Sequence, residues 1–166
     1  LGKAHKADDV IDASNCVLMP GLVNSHVHFT SVLRRGLGDD LPLEKWLSSD
    51  TVRAQDMLSR APPREELAPA FRLVCLEMIK AGITCYSAYS GMLCERYETG
   101  LRSLNALLVA DQVGDYKSVM QDIKANYSDR MSFGLATPRL PDVPESALLE
   151  IKDVAEDHDL KVHMHV

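Results

Sequence analysis

The sequence predicts an α/β fold made of parallel strand-helix units. Three features point there. Short apolar runs of strand type alternate with stretches of helical periodicity along the chain. Histidine pairs close the first and last of those runs, His26-Val27-His28 and His163-Met164-His165. The connections between runs are long enough for right-handed crossovers, which parallel strands require.

The first 16 residues are polar apart from weak alternation over Val10-Ile11-Asp12-Ala13, and His5 reads as a surface residue. Pro20-Gly21 is a turn signal, and residues 21–29 follow as strand one. Period-two alternation puts Leu22, Asn24, His26 and His28 on one face, with Val23, Ser25, Val27 and Phe29 on the other. Residues 30–63 hold Gly36, Gly38, Pro42 and Pro62-Pro63, and read as a long functional loop behind that strand. Within it, Trp46 packs at helical spacing with Leu43 and Leu47, or stands open as a stacking platform.

Arg64 to Lys80 has the clearest helical signal, an apolar stripe of Leu67, Phe71, Val74, Cys75 and Met78. Glu65 and Glu66 complement its first turn, Lys80 its last, and Gly82 stops it. Ile83 to Ala88 is strand two. A short helix follows near Met92 to Glu98, then strand three at Gly100 to Leu107, whose continuation is equally helical in pattern. Tyr116 to Tyr127 reads as a helix and Met131 to Ala136 as strand four. Asp142 and Glu145 have capping-box spacing around Pro144, ahead of a helix over Ala147 to His158. That helix turns Leu148, Ile151 and Ala155 inward and leaves Glu150, Lys152, Asp153, Glu156 and Asp157 in water, with His158 at its surface end. Leu160 to Val166 closes the chain as strand five.

With 166 residues and a net charge of -6, the chain reads as one globular unit. The acidic balance argues against nucleic acid or an anionic membrane as partner, and no run is apolar enough to span a bilayer. Cys16, Cys75, Cys85 and Cys94 lack close metal-ligand spacing, so they read as thiols of a reducing, cytoplasmic compartment.

Two imidazoles on one strand face can grip one divalent cation through neutral ring nitrogens, with zinc or iron the suited metals. A lone His-x-His is a weak signal. The strand-end setting and the second pair strengthen it.

Met19-Pro20-Gly21-Leu22-Val23-Asn24-Ser25-His26-Val27-His28 resembles the first barrel strand of the amidohydrolase superfamily. Asp39-Asp40-Leu41-Pro42-Leu43-Glu44-Lys45-Trp46-Leu47 resembles the following loop in the chlorohydrolase and deaminase branch, which includes S-adenosylhomocysteine/methylthioadenosine deaminases. The resemblance runs from about Val10 onward. It implies a partial (β/α)₈ TIM-type barrel, strands one to about five, since a full barrel takes about 250 residues. Residues 1–18 would be the end of a flanking β-sandwich and residues 19–166 the N-terminal part of the barrel.

The resemblance also implies a site. His26, His28 and His165 would hold one divalent metal, zinc, or alternatively iron, while His163 and Trp46 would contact substrate. The acid/base Glu and Asp would lie beyond Val166. The implied reaction is deamination of a purine nucleoside-type amine by a metal-bound hydroxide, with a truncated chain open to inactivity. A chlorohydrolase-like or guanine-deaminase-like hydrolase is the alternative in the same class. A non-catalytic, self-associating barrel remnant is the alternative in another. Strands one and five would be open edges, which points to a homo-oligomer or a missing C-terminal half.

Overall fold

In the computed structural model, residues 6–48, 64–90, 100–108, 121 and 130–166 are described. The helix expected near Met92 to Glu98 lies outside these residues, as do His5, Cys94 and, apart from the helical Gln121, the one expected over Tyr116 to Tyr127. Residues 6–21 contain neither helix nor strand.

The core of the fold is one five-stranded sheet with every pair parallel and strand order equal to chain order. Its strands are β1 (Leu22–Val27), β2 (Ile83–Ser90), β3 (Arg102–Leu108), β4 (Met131–Ala136) and β5 (Lys161–His163). The ambiguous third run is therefore a strand. Helix α1 (Leu43–Ser48) sits in the loop after β1, α2 (Arg64–Lys80) precedes β2, and α3 (Glu145–His158) precedes β5.

A flat sheet would hold β1 and β5 about 19 Å apart, four strand spacings. Instead His26 Nδ1 on β1 lies 2.7 Å from His163 Nε2 on β5. The sheet is curled, with its concave side inward, as part of a (β/α)₈ barrel.

Burial on the convex side comes from α2 and α3. Phe71, Val74, Cys75 and Met78 of α2 pack with Phe29, Tyr86 and Ala88 in the main cluster, so the stripe predicted on this helix faces the sheet. Ile151 of α3, 2% exposed, packs on Leu135 of β4, with Phe133, Val154 and Leu160 around them. The left-handed Gly82 (φ 77) turns the chain from α2 into β2.

The β1–β2 register slips twice, between Leu22 and Val23 and between Asn24 and Val27, and the second slip bears on the histidines. Asn24 is registered with Tyr86, but Val27 with Ala88, so three steps on β1 face two on β2. Asn24 thereby lies on the helix side, its Nδ2 3.8 Å from Met78 Sδ, and not on the face of His26 and His28. The His26 backbone N–H donates to Asn24 Oδ1 at 3.2 Å. An extra residue in the strand and an amide that accepts its N–H therefore separate Asn24 from the imidazoles.

Three other expectations need correction. Strand one ends at Val27, because Phe29 turns into a 3-10 helix (Phe29–Arg34) that buries its ring against Phe71 and Tyr86. The capping box does not form. Pro144 takes the N-cap position without a side-chain bond, and Asp142 instead pairs with Arg139 at 2.9 Å in a 3-10 turn. Strand five has only three ladder residues. Beyond them the Thr137 N–H donates to the His163 carbonyl and the Leu140 N–H to the His165 carbonyl, both at 3.1 Å, and this pins the terminal segment beside β4.

Candidate metal centre

The C-terminal ends of β1, β2 and β5 converge on the concave face, where barrel sites are built. The bulge in β1 points His26 and His28 there. The pairing with residues 137 and 140 brings in His165.

Three ring nitrogens converge on one point. His26 Nε2 and His28 Nε2 are 2.9 Å apart, His28 Nε2 and His165 Nε2 3.2 Å, and His165 Nε2 and His26 Nε2 3.3 Å. Two nitrogens each about 2.0–2.1 Å from one cation are about 2.9–3.4 Å apart for angles between right and tetrahedral. The donor set therefore fits a single divalent ion in both spacing and chemistry. Among the described residues no carboxylate joins this group.

The fourth imidazole plays a different part. His163 Nε2 faces Nδ1 of His26, and His163 Nδ1 lies 3.2 Å from Ser87 Oγ on β2. Tyr89, also on β2, lies under the cluster, its ring 4.3 Å from that of His165 and 5.0 Å from that of His28. Its hydroxyl donates to the Thr137 carbonyl on the far side of β3. The registered β3 neighbour of Tyr89 is Ala106, small enough to let the phenol cross.

Burial, with His26 and His165 nearby, pushes the His28 imidazole down to about 4. Burial and the neighbouring rings also hold His163 and His165 below the usual histidine value. All three are thus neutral at pH 7, the form that ligates.

Trp46 stands apart from the imidazoles in its described contacts. Its Nε1 donates to the Leu37 carbonyl at 3.0 Å, and the Arg34 guanidinium lies 5.3 Å from its ring centre. Leu43 and Leu47 are exposed, so it does not form the small helical core that the spacing suggested. Ser87 and Tyr89 escaped the sequence reading. Strand two runs past the expected end at Ala88 to Ser90, and alternation with buried Tyr86 and Ala88 turns Ser87 and Tyr89 to the concave side.

A family model described as the amidohydrolase family matches residues 17–166. A 5'-deoxyadenosine deaminase of Methanothrix thermoacetophila is 31% identical, over 96% of this chain and 39% of that protein. A 5-methylthioadenosine/S-adenosylhomocysteine deaminase of Halobacterium salinarum is 31% identical, over 99% of this chain and 41% of that protein. The chain thus spans about two fifths of the length of these curated relatives. Among solved structures, an adenosine deaminase from Xanthomonas campestris with bound zinc superimposes with a TM-score of 0.73 at 23% identity, covering 89% of this chain and 36% of that one. The zinc complex of an atrazine chlorohydrolase from Arthrobacter aurescens gives 0.67 at 18% identity, covering 88% and 40%.

Proposed function

The chain belongs to the amidohydrolase family, and on that premise we propose that it carries a three-histidine metal site of a hydrolase acting on a non-peptide C–N bond. The reaction that best suits it is hydrolytic deamination of a purine nucleoside-type small molecule, the class in the names of its deaminase relatives. The observation that carries this reading is the convergence of the His26, His28 and His165 Nε2 atoms within 3.3 Å.

His26, His28 and His165 would hold a divalent ion, which would lower the pKa of a bound water toward about 7 and so provide the nucleophile that deamination needs. We assign His26, His28 and His165 as its ligands, and zinc as the ion, the metal bound in the similar adenosine deaminase and atrazine chlorohydrolase structures. Low proton affinity keeps His28 available as a ligand in mildly acidic solution. Tyr89 closes the floor of the cluster and leaves the mouth of the curled sheet as the side from which substrate approaches. In this reading the acid/base carboxylates come from further barrel units packed along the edges β1 and β5. Residues 19–166 are the barrel part in this assignment, and residues 1–18 the flanking segment.

Among the described residues no helix is long and apolar enough to cross a membrane, and no disulfide joins Cys16, Cys75 and Cys85. A cytoplasmic setting suits such thiols.

Elemental analysis of the purified chain tests the centre. About one zinc per chain, lost in His26→Ala/His28→Ala, is the expected result, and no metal in either protein would refute it. Ammonia release from 5'-deoxyadenosine, methylthioadenosine and guanine, assayed with the chain joined to the remaining barrel strands of a relative, tests the substrate class. Preference for guanine would favour the guanine-deaminase alternative.

A further inference from the structure

On the metal-site reading given above, we propose that His163 and Ser87 are positioning residues that hold the His26 ring in the one tautomer able to ligate through Nε2. The geometry is a chain of contacts. His26 Nε2 faces the other two ligand nitrogens at 2.9 and 3.3 Å, while its Nδ1 lies 2.7 Å from His163 Nε2. His163 Nδ1 in turn lies 3.2 Å from Ser87 Oγ.

A neutral imidazole has one N–H and one lone pair, and a hydroxyl both donates and accepts. Two proton arrangements therefore satisfy the chain. In the first, Ser87 donates to His163 Nδ1, His163 Nε2–H donates to His26 Nδ1, and His26 carries its proton on Nε2. That arrangement cannot ligate a cation at Nε2. In the second, His26 Nδ1–H donates to His163 Nε2, His163 Nδ1–H donates to Ser87 Oγ, and the His26 Nε2 lone pair points at the convergence of the tripod. A bound cation selects the second arrangement, and the relay then fixes the rotation and tautomer of His26 together.

The placement of His163 supports this part over that of a fourth ligand. Its Nε2 meets the far nitrogen of His26, away from the point where the other rings converge. The relay also crosses from β1 to β5 and on to β2, so it braces a ligand on an edge strand against the interior of the sheet.

The test is cobalt(II) binding to the zinc-free chain, read from its visible spectrum, together with histidine ¹⁵N NMR of the zinc-loaded chain. Replacement of His163→Leu should weaken cobalt affinity by about 10–100-fold. His163→Gln, whose amide oxygen can accept from His26 Nδ1–H, should restore it to within about 3-fold of the parent. The NMR should place protons on Nδ1 of both His26 and His163.

Parental affinity in His163→Leu, or a proton on His26 Nε2 in the zinc-loaded chain, would overturn the relay and leave the metal centre standing. Should the parent bind no cobalt, the metal-site reading fails, and the relay with it. If His163→Leu does not fold, Ser87→Ala, which removes a single oxygen from the relay, takes its place. Its expected result is a weaker site with a mixed His163 tautomer, and no change in either measure would count against the relay.

Discussion

His26 and His165 lie 139 residues apart in the chain, yet their Nε2 atoms are 3.3 Å apart. His26 sits on one edge strand of the sheet and His165 just past the end of the other, and those two strands share no ladder. A cation held between them would close the curl like a staple. Zinc at a hundredfold excess over its Kd should stabilise the chain by about 2.7 kcal/mol, less whatever the unfolded chain binds. Urea unfolding with and without zinc measures this, and His165→Ala should remove most of the shift.

Stability should fall with acidification in a window set by His28. Its folded-state value is about 4 against an ordinary 6.5, mainly because it is buried. Between those values the unfolded chain takes up a proton that the folded chain refuses, so the folded state loses ground as pH drops from 6.5 toward 4. His163 and His165 are lowered too and add in the same direction. In metal-free solution the urea midpoint should decline more steeply with falling pH in the parent than in His28→Gln. Equal slopes would contradict this.

Asn24 should matter despite facing away from the imidazoles. Its Oδ1 accepts the His26 backbone N–H at the irregularity in β1. Asn24→Ala removes that acceptor and should cost about 1 kcal/mol in unfolding experiments. Zinc affinity should drop as well, because the same bond fixes where the backbone carries His26. Unchanged affinity alongside lower stability would confine the role of Asn24 to the fold.

Gly134 allows β4 and β5 to approach closely. A Cβ there would stand 2.8 Å from the Lys161 backbone carbonyl, which has no rotamer to escape into. Gly134→Ala should destabilise by about 1–3 kcal/mol and displace the segment bearing His165, which thermal unfolding and zinc titration would both report.

The strand-helix order was legible because each strand run is short, apolar and bounded by glycine or a charged helix end, as at Gly82 before β2. The tripod was legible only as two His-x-His pairs, because the curl that joins them is set by sheet twist and crossover packing rather than local pattern. The slip at Asn24 left no mark in the residue alternation, since polar residues fill both phases of Asn24-Ser25-His26. The false capping box shows the opposite hazard. Asp142 and Glu145 had the right spacing, but Arg139 offered Asp142 a closer cation within its own turn.

The distance along the chain between His28 and His165 also has a clock attached. A ribosome adding about 5–20 residues per second needs on the order of ten seconds to cover the 137 residues between them. Throughout that interval the first two imidazoles are already made and can meet a metal ion, but only as a two-point grip. Tight capture waits for the last strand, so metal retention by nascent chains of increasing length would report the moment at which the curl closes.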